Sequence, residues 1–169
     1  MTERVFGFDL LAQQAAEHVA AEVSQMAAHF TYGDTPIERL LALALMIYDQ
    51  YRYSAGTAAA GVVFMPDDNG LVERFPRAMR VERQVDVGGW RVDFLIHVPN
   101  GLDGPDKLFI VECDGHEFHE RTKDQAARDR SRDRAATVNG IPILRFTGSE
   151  LWRDPFGCAR QVFDLSGRL

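Results

Sequence analysis

The first third of the chain carries apolar residues at helical spacing. Residues 8–30 are rich in alanine, contain neither Gly nor Pro, and repeat apolar residues at steps of three and four. This pattern predicts an amphipathic helix. The stretch "TPIE" at 35–38 then has the features of a helix start, with Thr35 as the N-cap, so a second helix is predicted to run to about Tyr53.

Alternating apolar and polar residues follow, and they predict β-strands. The stretches "MRVERQVDV" at 79–87 and "WRVDFLIHV" at 90–98 flank Gly88-Gly89, which predicts a β-hairpin. The apolar runs "KLFIVEC" at 107–113 and "IPILRF" at 141–146 predict a third and a fourth strand. Ahead of the hairpin, only a short strand around Val62–Met65 can be discerned.

Two further helices determine the fold class. The strongly charged segment 121–138 is predicted to be helical, and a terminal helix is predicted from Asp154 or Pro155 to Leu165. A crossover from the third strand through the charged helix to the fourth implies a parallel pair with a right-handed connection. The chain therefore predicts an α/β fold in the order αβββαβ, with a mixed four-stranded sheet flanked by helices and one extra helix at each end.

Composition favours one soluble globular domain. The chain has 169 residues, of which 46% are hydrophobic and 26% charged, so residues 1–169 are expected to form a single domain. The net charge of −6 means that any binding of nucleic acid requires a local basic face.

Cysteine usage and hydropathy bear on the cellular location. Cys113 and Cys158 form no CxxC pair, and two reduced, buried thiols are the ordinary state of such residues in the cytosol. The first ten residues contain no apolar signal-peptide region, and the apolar run at 40–48 is too short to span a bilayer. We expect a cytoplasmic protein without a membrane partner.

Three acids lie on neighbouring predicted strands. Asp93 is embedded between Val92 and Phe94, while Glu112 and Asp114 are two residues apart at the end of the third strand and share a face if it continues. A single acid there would simply face water, but a set of three on adjoining strands requires a cation or a retained proton. Hard oxygen ligands of this kind suit Mg²⁺ or Mn²⁺.

Three other residues are candidates with two interpretations each. By spacing alone, Glu38 is the capping-box partner of Thr35, and it joins a site only if its helical turn packs against the strand ends. His116 and His119 follow the acids and are candidates for proton transfer or phosphate contact, with structural hydrogen bonding as the alternative.

The charged helix offers a basic face. Arg128 and Arg132 are four residues apart and could meet a phosphate backbone together, with Lys123 on the same helix. A solvated helix with internal ion pairs is the simpler alternative. A second set of arginines, which could also face phosphate, precedes and enters the first strand of the hairpin: Arg74, Arg77, Arg80 and Arg83.

The order of these motifs resembles a known superfamily. An Asp on one strand, Glu-x-Asp-Gly…His at the end of the next, an Arg/Asp-rich helix and "GIPILRF" resemble the restriction-endonuclease-like PD-(D/E)xK superfamily. "TPIERLLALAL" and "RQVDVGGWRVDFLI" resemble its branch of very-short-patch-repair endonucleases. The resemblance covers roughly residues 35–165 and implies an endonuclease-like core there, with residues 1–32 as an N-terminal helical extension.

The resemblance also implies roles for individual residues. Asp93 and Glu112 would hold a divalent metal, helped by the main-chain carbonyl of Cys113. Glu38 would reach the metal directly or through water, and Gln84 would support the site from the neighbouring strand.

One departure from the superfamily concerns catalysis. Asp114 stands where the superfamily carries a Lys that orients the attacking water. That work would fall to His119, His116 or Lys123, or to a second metal held partly by Asp114.

These patterns lead to a functional hypothesis. We expect a metal-dependent nuclease that hydrolyses DNA phosphodiester bonds with Mg²⁺ or Mn²⁺, with His119 as the base. The alternatives are a non-catalytic module of the same fold that binds nucleic acid or a protein partner, and a hydrolase of small phosphate esters. The N-terminal helix is a candidate contact for a homodimer, or a lid.

Overall fold

A computed structural model describes residues 3–54, 61–66, 70–101, 104–115 and 123–169. The chain separates into two units, Met1–Thr31 and Tyr32–Leu169. The expectation that residues 1–169 form a single domain stays a prediction.

The first unit contains one long helix, α1 (Glu3–His29). Its alanine content gives it high helix propensity, and the contacts of Gln13 with Glu17 and of His18 with Glu22 span one turn each. Leu10 is 56% exposed. The expected dimer contact through this helix stays a prediction. None of the helices in the described residues has the length and hydropathy needed to cross a membrane.

In the described residues, the second unit combines five strands with five helices. The strands are β1 (Val62–Phe64), β2 (Met79–Val87), β3 (Trp90–Val98), β4 (Lys107–Asp114) and β5 (Ile143–Thr147). The helices are α2 (Pro36–Ser54), α3 (Leu71–Arg74), α4 (Lys123–Val138), α5 (Gly148–Arg153) and α6 (Pro155–Ser166).

One mixed sheet contains all five strands in chain order, β1 to β5. Strands β2–β3 and β3–β4 pair antiparallel, while β1–β2 and β4–β5 pair parallel. The expected α/β fold with a mixed sheet flanked by helices is confirmed. The predicted count of four strands was wrong, because β1 joins the edge through bonds from Met65 N–H to Val81 O (2.9 Å) and from Met79 N–H to Gly61 O (2.8 Å).

Both faces of the interior strand β4 are covered. Ile110 and Val111 point to opposite faces because they are consecutive in a strand, and both are fully buried. Helices α2 and α6 pack against each other, and the ring centroids of Tyr48 and Phe163 lie 5.5 Å apart. This packing anchors α2, whose first turn carries Glu38.

The end of the chain contains a helix that the sequence pattern did not predict. Helix α5 begins with a capping box between Thr147 and Glu150, a short-range signal that the sequence contains. Helix α6 then begins at Pro155 with Asp154 as N-cap, close to its predicted start. The sharp break between the two helices sets the direction of α6.

Burial in α2 predicts a large cost for truncation. Leu41 is fully buried, so Leu41→Ala should lower the free energy of unfolding by about 2 to 5 kcal/mol. Leu10→Ala, the same change at an exposed position, should alter it by less than about 0.5 kcal/mol. Urea denaturation measures both, and equal effects would contradict the burial described here.

Candidate active site

The central hairpin changes direction at Gln84 and Asp93. These residues lie opposite each other, and the two strands pair on either side of them with unchanged register. Gln84 has φ 54°, in the left-handed region. Val92 and Leu95 pack in one buried cluster although strict alternation would put residues three apart on opposite faces. The pleat is therefore broken at this point.

The outer half of the hairpin folds back over the sheet. One cleft is lined by the hairpin tip, Val87 and Gly88, together with residues 106–108 and 139–141. A straight β3 would hold the tip roughly 25 Å from the start of β4, because each residue advances about 3.3 Å. The bend thus places Gln84 and Asp93 at a corner of the sheet.

The conformation of Gln84 is costly for a residue with a side chain. A left-handed backbone costs about 1–2 kcal/mol outside glycine, and such strain often marks functional sites. The side-chain amide offsets this cost by donating from Nε2 to Glu38 Oε2 at 3.0 Å. It also forms a hydrogen bond with Asp93. Gln84 therefore joins the two carboxylates.

Glu38 is a buried acid that serves two elements at once. It is 3% exposed, and its oxygens accept from the Asp34 N–H (2.9 Å), the Thr35 hydroxyl (2.8 Å) and the Gln84 amide. The predicted capping partnership with Thr35 is confirmed. The helical turn also packs against the end of β4, since a Cβ built on Gly115 would lie 3.2 Å from Ile37 Cδ1. The packing condition for Glu38 to join a site at the strand ends is therefore met, and its role in such a site stays a prediction.

Asp93 occupies an electrostatically unfavourable position. Its Oδ2 accepts from the Cys113 N–H at 2.7 Å. Burial raises the pKa of Asp93, and the charges of Glu38 and Asp114 raise it further, while the hydrogen bonds from Cys113 and Gln84 lower it. Crowded carboxylates of this kind would be stabilised by a cation.

The end of β4 brings the remaining predicted acids to the same corner. Glu112 lies beside Arg145 of β5 in the register. Burial raises the pKa of the Cys113 thiol, and so do the nearby charges of Asp93, Glu38 and Glu112. Cys113 is half-buried rather than buried as expected, whereas the Cys158 thiol is buried.

The described residues leave out most of the other predicted site residues. His116 and His119 lie outside the described residues, as do the side chains of Lys123 and Arg128 in α4. Arg132 is half-buried on α4. Among the described residues, no group of three or more His, Cys, Asp or Glu is arranged to hold a metal ion.

The structure adds Asp34 and Arg91, which sequence reasoning missed, and joins them to Arg83 of the second arginine set. Asp34 accepts hydrogen bonds from Arg83 Nη1 (3.0 Å) and Arg91 Nη2 (3.4 Å). Asp34 and Arg91 are 57 residues apart, so no local pattern signals the contact. The bend at Gln84 had only a weak signal, because the alternation is interrupted by Arg83 in β2 and by the apolar run Phe94-Leu95-Ile96 in β3.

Comparison with known proteins gives one match. The family model REase_MTES_1575, which describes a restriction-endonuclease-like family, matches residues 72–165, more than half of the chain. No curated protein and no solved structure matches the chain. The matched segment contains Gln84, Asp93 and Glu112, whereas Glu38 precedes it.

The positive φ of Gln84 predicts an unusual order of stability. In a regular strand, Val is more stable than Gly, but at φ 54° the branched side chain is strained and Gly is not. Both changes remove the amide, so Gln84→Val should be at least about 1 kcal/mol less stable than Gln84→Gly in urea denaturation. The opposite order would show that the backbone here is extended.

The raised pKa of Asp93 predicts a stability effect that depends on pH. Below the ordinary pKa near 3.8, the Asp93 carboxyl is protonated in both the folded and the unfolded protein. Above its raised folded-state pKa the carboxyl is ionised, and the buried charge destabilises the folded state. Asp93→Asn should therefore be more stable than wild type at pH 7, and the difference should shrink toward pH 3. Thermal melts across this range measure it, and a variant that is less stable at pH 7 would contradict the assigned electrostatics.

Proposed function

We propose, since this chain belongs to the restriction-endonuclease-like family REase_MTES_1575, that it is a metal-dependent nuclease that hydrolyses DNA phosphodiester bonds. Membership of the family supports a nuclease-type function. The carboxylate corner supports the metal dependence and the position of the site.

One observation carries the proposal. Glu38, Gln84, Asp93 and the main chain of Cys113 form a continuous set of hydrogen bonds across α2, β2, β3 and β4. Four elements that are separate in sequence therefore hold two acids in fixed positions, as a catalytic site requires. A purely structural interior would favour apolar residues at these positions.

The donor groups have the chemistry that a hard divalent cation prefers. Asp93 and Glu112 would hold Mg²⁺ or Mn²⁺ with the carbonyl of Cys113, because carboxylate and carbonyl oxygens are the ligands that these ions prefer. When bound, such an ion lowers the pKa of a water molecule and neutralises charge on the phosphate. The Gln84 amide holds Asp93 in place, and Glu38 would act directly or through water.

The proton from the attacking water requires an acceptor. We assign this role to His119, with Asp114 as a further oxygen ligand in place of the superfamily's Lys. His116, Lys123, Arg128 and Arg132 would contact the DNA backbone.

A second function is a nuclease fold that has lost its chemistry and binds nucleic acid or a protein partner. The charge of Asp114 favours it, because this residue raises the pKa of Asp93 where a Lys would lower it. Titration calorimetry with Mg²⁺ separates the two functions. A nuclease should show saturable binding that Glu112→Gln abolishes, and a degenerate site should show none.

Cleavage tests the proposal directly. Plasmid, linear single-stranded and branched DNA are incubated with Mg²⁺ or Mn²⁺ and with wild type, Asp93→Asn or Glu112→Gln. Each variant should lose at least about 100-fold in rate, because each removes a charged ligand from the transition state.

A matched control separates charge at the site from overall charge. Asp164→Asn on α6 makes the same change at an exposed position and should cleave at the wild-type rate. Full activity of Asp93→Asn, or an equal loss in Asp164→Asn, would refute the assigned site.

A further inference from the structure

We infer that Arg83 and Arg91 form a phosphate-binding pair at the rim of the carboxylate site. The pair would bind phosphates of the DNA backbone that neighbour the phosphate at which the strand is cleaved. This inference rests on the proposed function for the identity of its ligand, but its geometry is independent of catalysis.

One carboxylate holds both arginines. Asp34 Oδ1 accepts from Arg83 Nη1 at 3.0 Å, and Asp34 Oδ2 accepts from Arg91 Nη2 at 3.4 Å. The Arg83 guanidinium also lies 5.3 Å from the ring centroid of Tyr32, which restricts its orientation. Two guanidiniums from two strands are therefore oriented side by side.

The pair is attached directly to the site. The Asp34 N–H donates to Glu38 Oε2 at 2.9 Å, the same oxygen that accepts from Gln84. Arg83 precedes Gln84 on β2, and Arg91 lies two residues before Asp93 on β3. The arginines thus flank the corner where the carboxylates meet.

The charges and exposure suit an anion. A guanidinium carries five N–H donors, and the described contacts to Asp34 use one from each arginine. The side chains of Arg83 and Arg91 are 40% and 64% exposed, and the three residues together carry one net positive charge. Planar donor groups of this kind match phosphate oxygens.

Stability does not account for this arrangement. Exposed ion pairs contribute little to stability, so the main effect of Asp34, Arg83 and Arg91 is on the surface potential. Arg80, also in the predicted arginine set, provides a contrast. It pairs with Asp106, and both side chains are about three-quarters buried, so Arg80 serves the fold instead.

The test measures salt-dependent DNA binding by fluorescence anisotropy of a labelled duplex. Arg83→Gln and Arg91→Gln are made in an Asp93→Asn background, so that cleavage does not consume the probe. Each arginine substitution should reduce the magnitude of the negative slope of log affinity against log salt concentration by about one. Between about 50 and 200 mM salt, each variant should then lose about 3.5-fold less affinity than the background protein.

Two further variants serve as controls in the same background. Arg160→Gln makes the same change on exposed α6 and should keep the original slope. Asp34→Asn leaves both guanidiniums and removes a negative charge, so it should bind DNA more tightly with the original slope. Equal weakening in Asp34→Asn and the two arginine variants would show that the trio acts through the fold, and would overturn the inference.

Failure of the inference can be distinguished from failure of the proposed function. Cleavage by the protein with Asp93 intact is measured in parallel. Arginine-dependent slopes without cleavage would support the phosphate-binding pair and refute the nuclease. Cleavage with unchanged slopes in Arg83→Gln and Arg91→Gln would support the nuclease and refute the pair. The absence of any DNA binding would also refute the pair.

Discussion

The hydrogen bond from the Gln84 amide to Glu38 is the contact on which the arrangement of the site depends. It joins the first turn of α2 to the middle of β2, where the backbone of Gln84 is left-handed. Without this contact, the bend would have less to offset its strain, and Asp93 would lose a neighbour that holds it. The direction of the hairpin and the position of the acids therefore have one common cause.

The crowded acids destabilise the folded state, and other contacts in the unit must offset this loss of stability. Burial and the charges of Glu38 and Asp114 disfavour the ionised form of Asp93, while two hydrogen bonds only partly compensate. The fully buried residues of α2 and of the central strands supply apolar contact on either side of this corner. Crowded, buried acids of this kind lower the stability of the fold, as is common where charged groups are preorganised.

Much of the fold follows from local signals in the sequence. The cap at Thr35, the turn at Gly88-Gly89 and the period-two strands predicted α2 and the central hairpin, because each signal acts within a few residues. The edge strand β1 has three residues and was too short to establish a fifth strand in the predicted sheet. Helix α5 was missed although its capping box can be read in the sequence.

The site could be predicted less completely than the fold. Asp93 could be singled out as an acid between apolar strand residues, and Glu112 and Asp114 as acids near the end of β4, while the role of Glu38 depends on packing. The left-handed backbone of Gln84 has no residue-type signal, because glycine is the usual choice there. The joint binding of two arginines by Asp34 depends on tertiary contact, which spacing along the chain does not encode.

The short edges of the sheet restrict how this protein can meet other chains. At one edge β1 spans three residues and at the other β5 spans five, so each offers few main-chain groups to a foreign strand. Pairing of a partner's strand with these edges, known as β-augmentation, is therefore disfavoured. Self-association into extended β-ladders is disfavoured for the same reason. We therefore expect recognition by this unit to rely on side chains, through charge and shape rather than through backbone pairing.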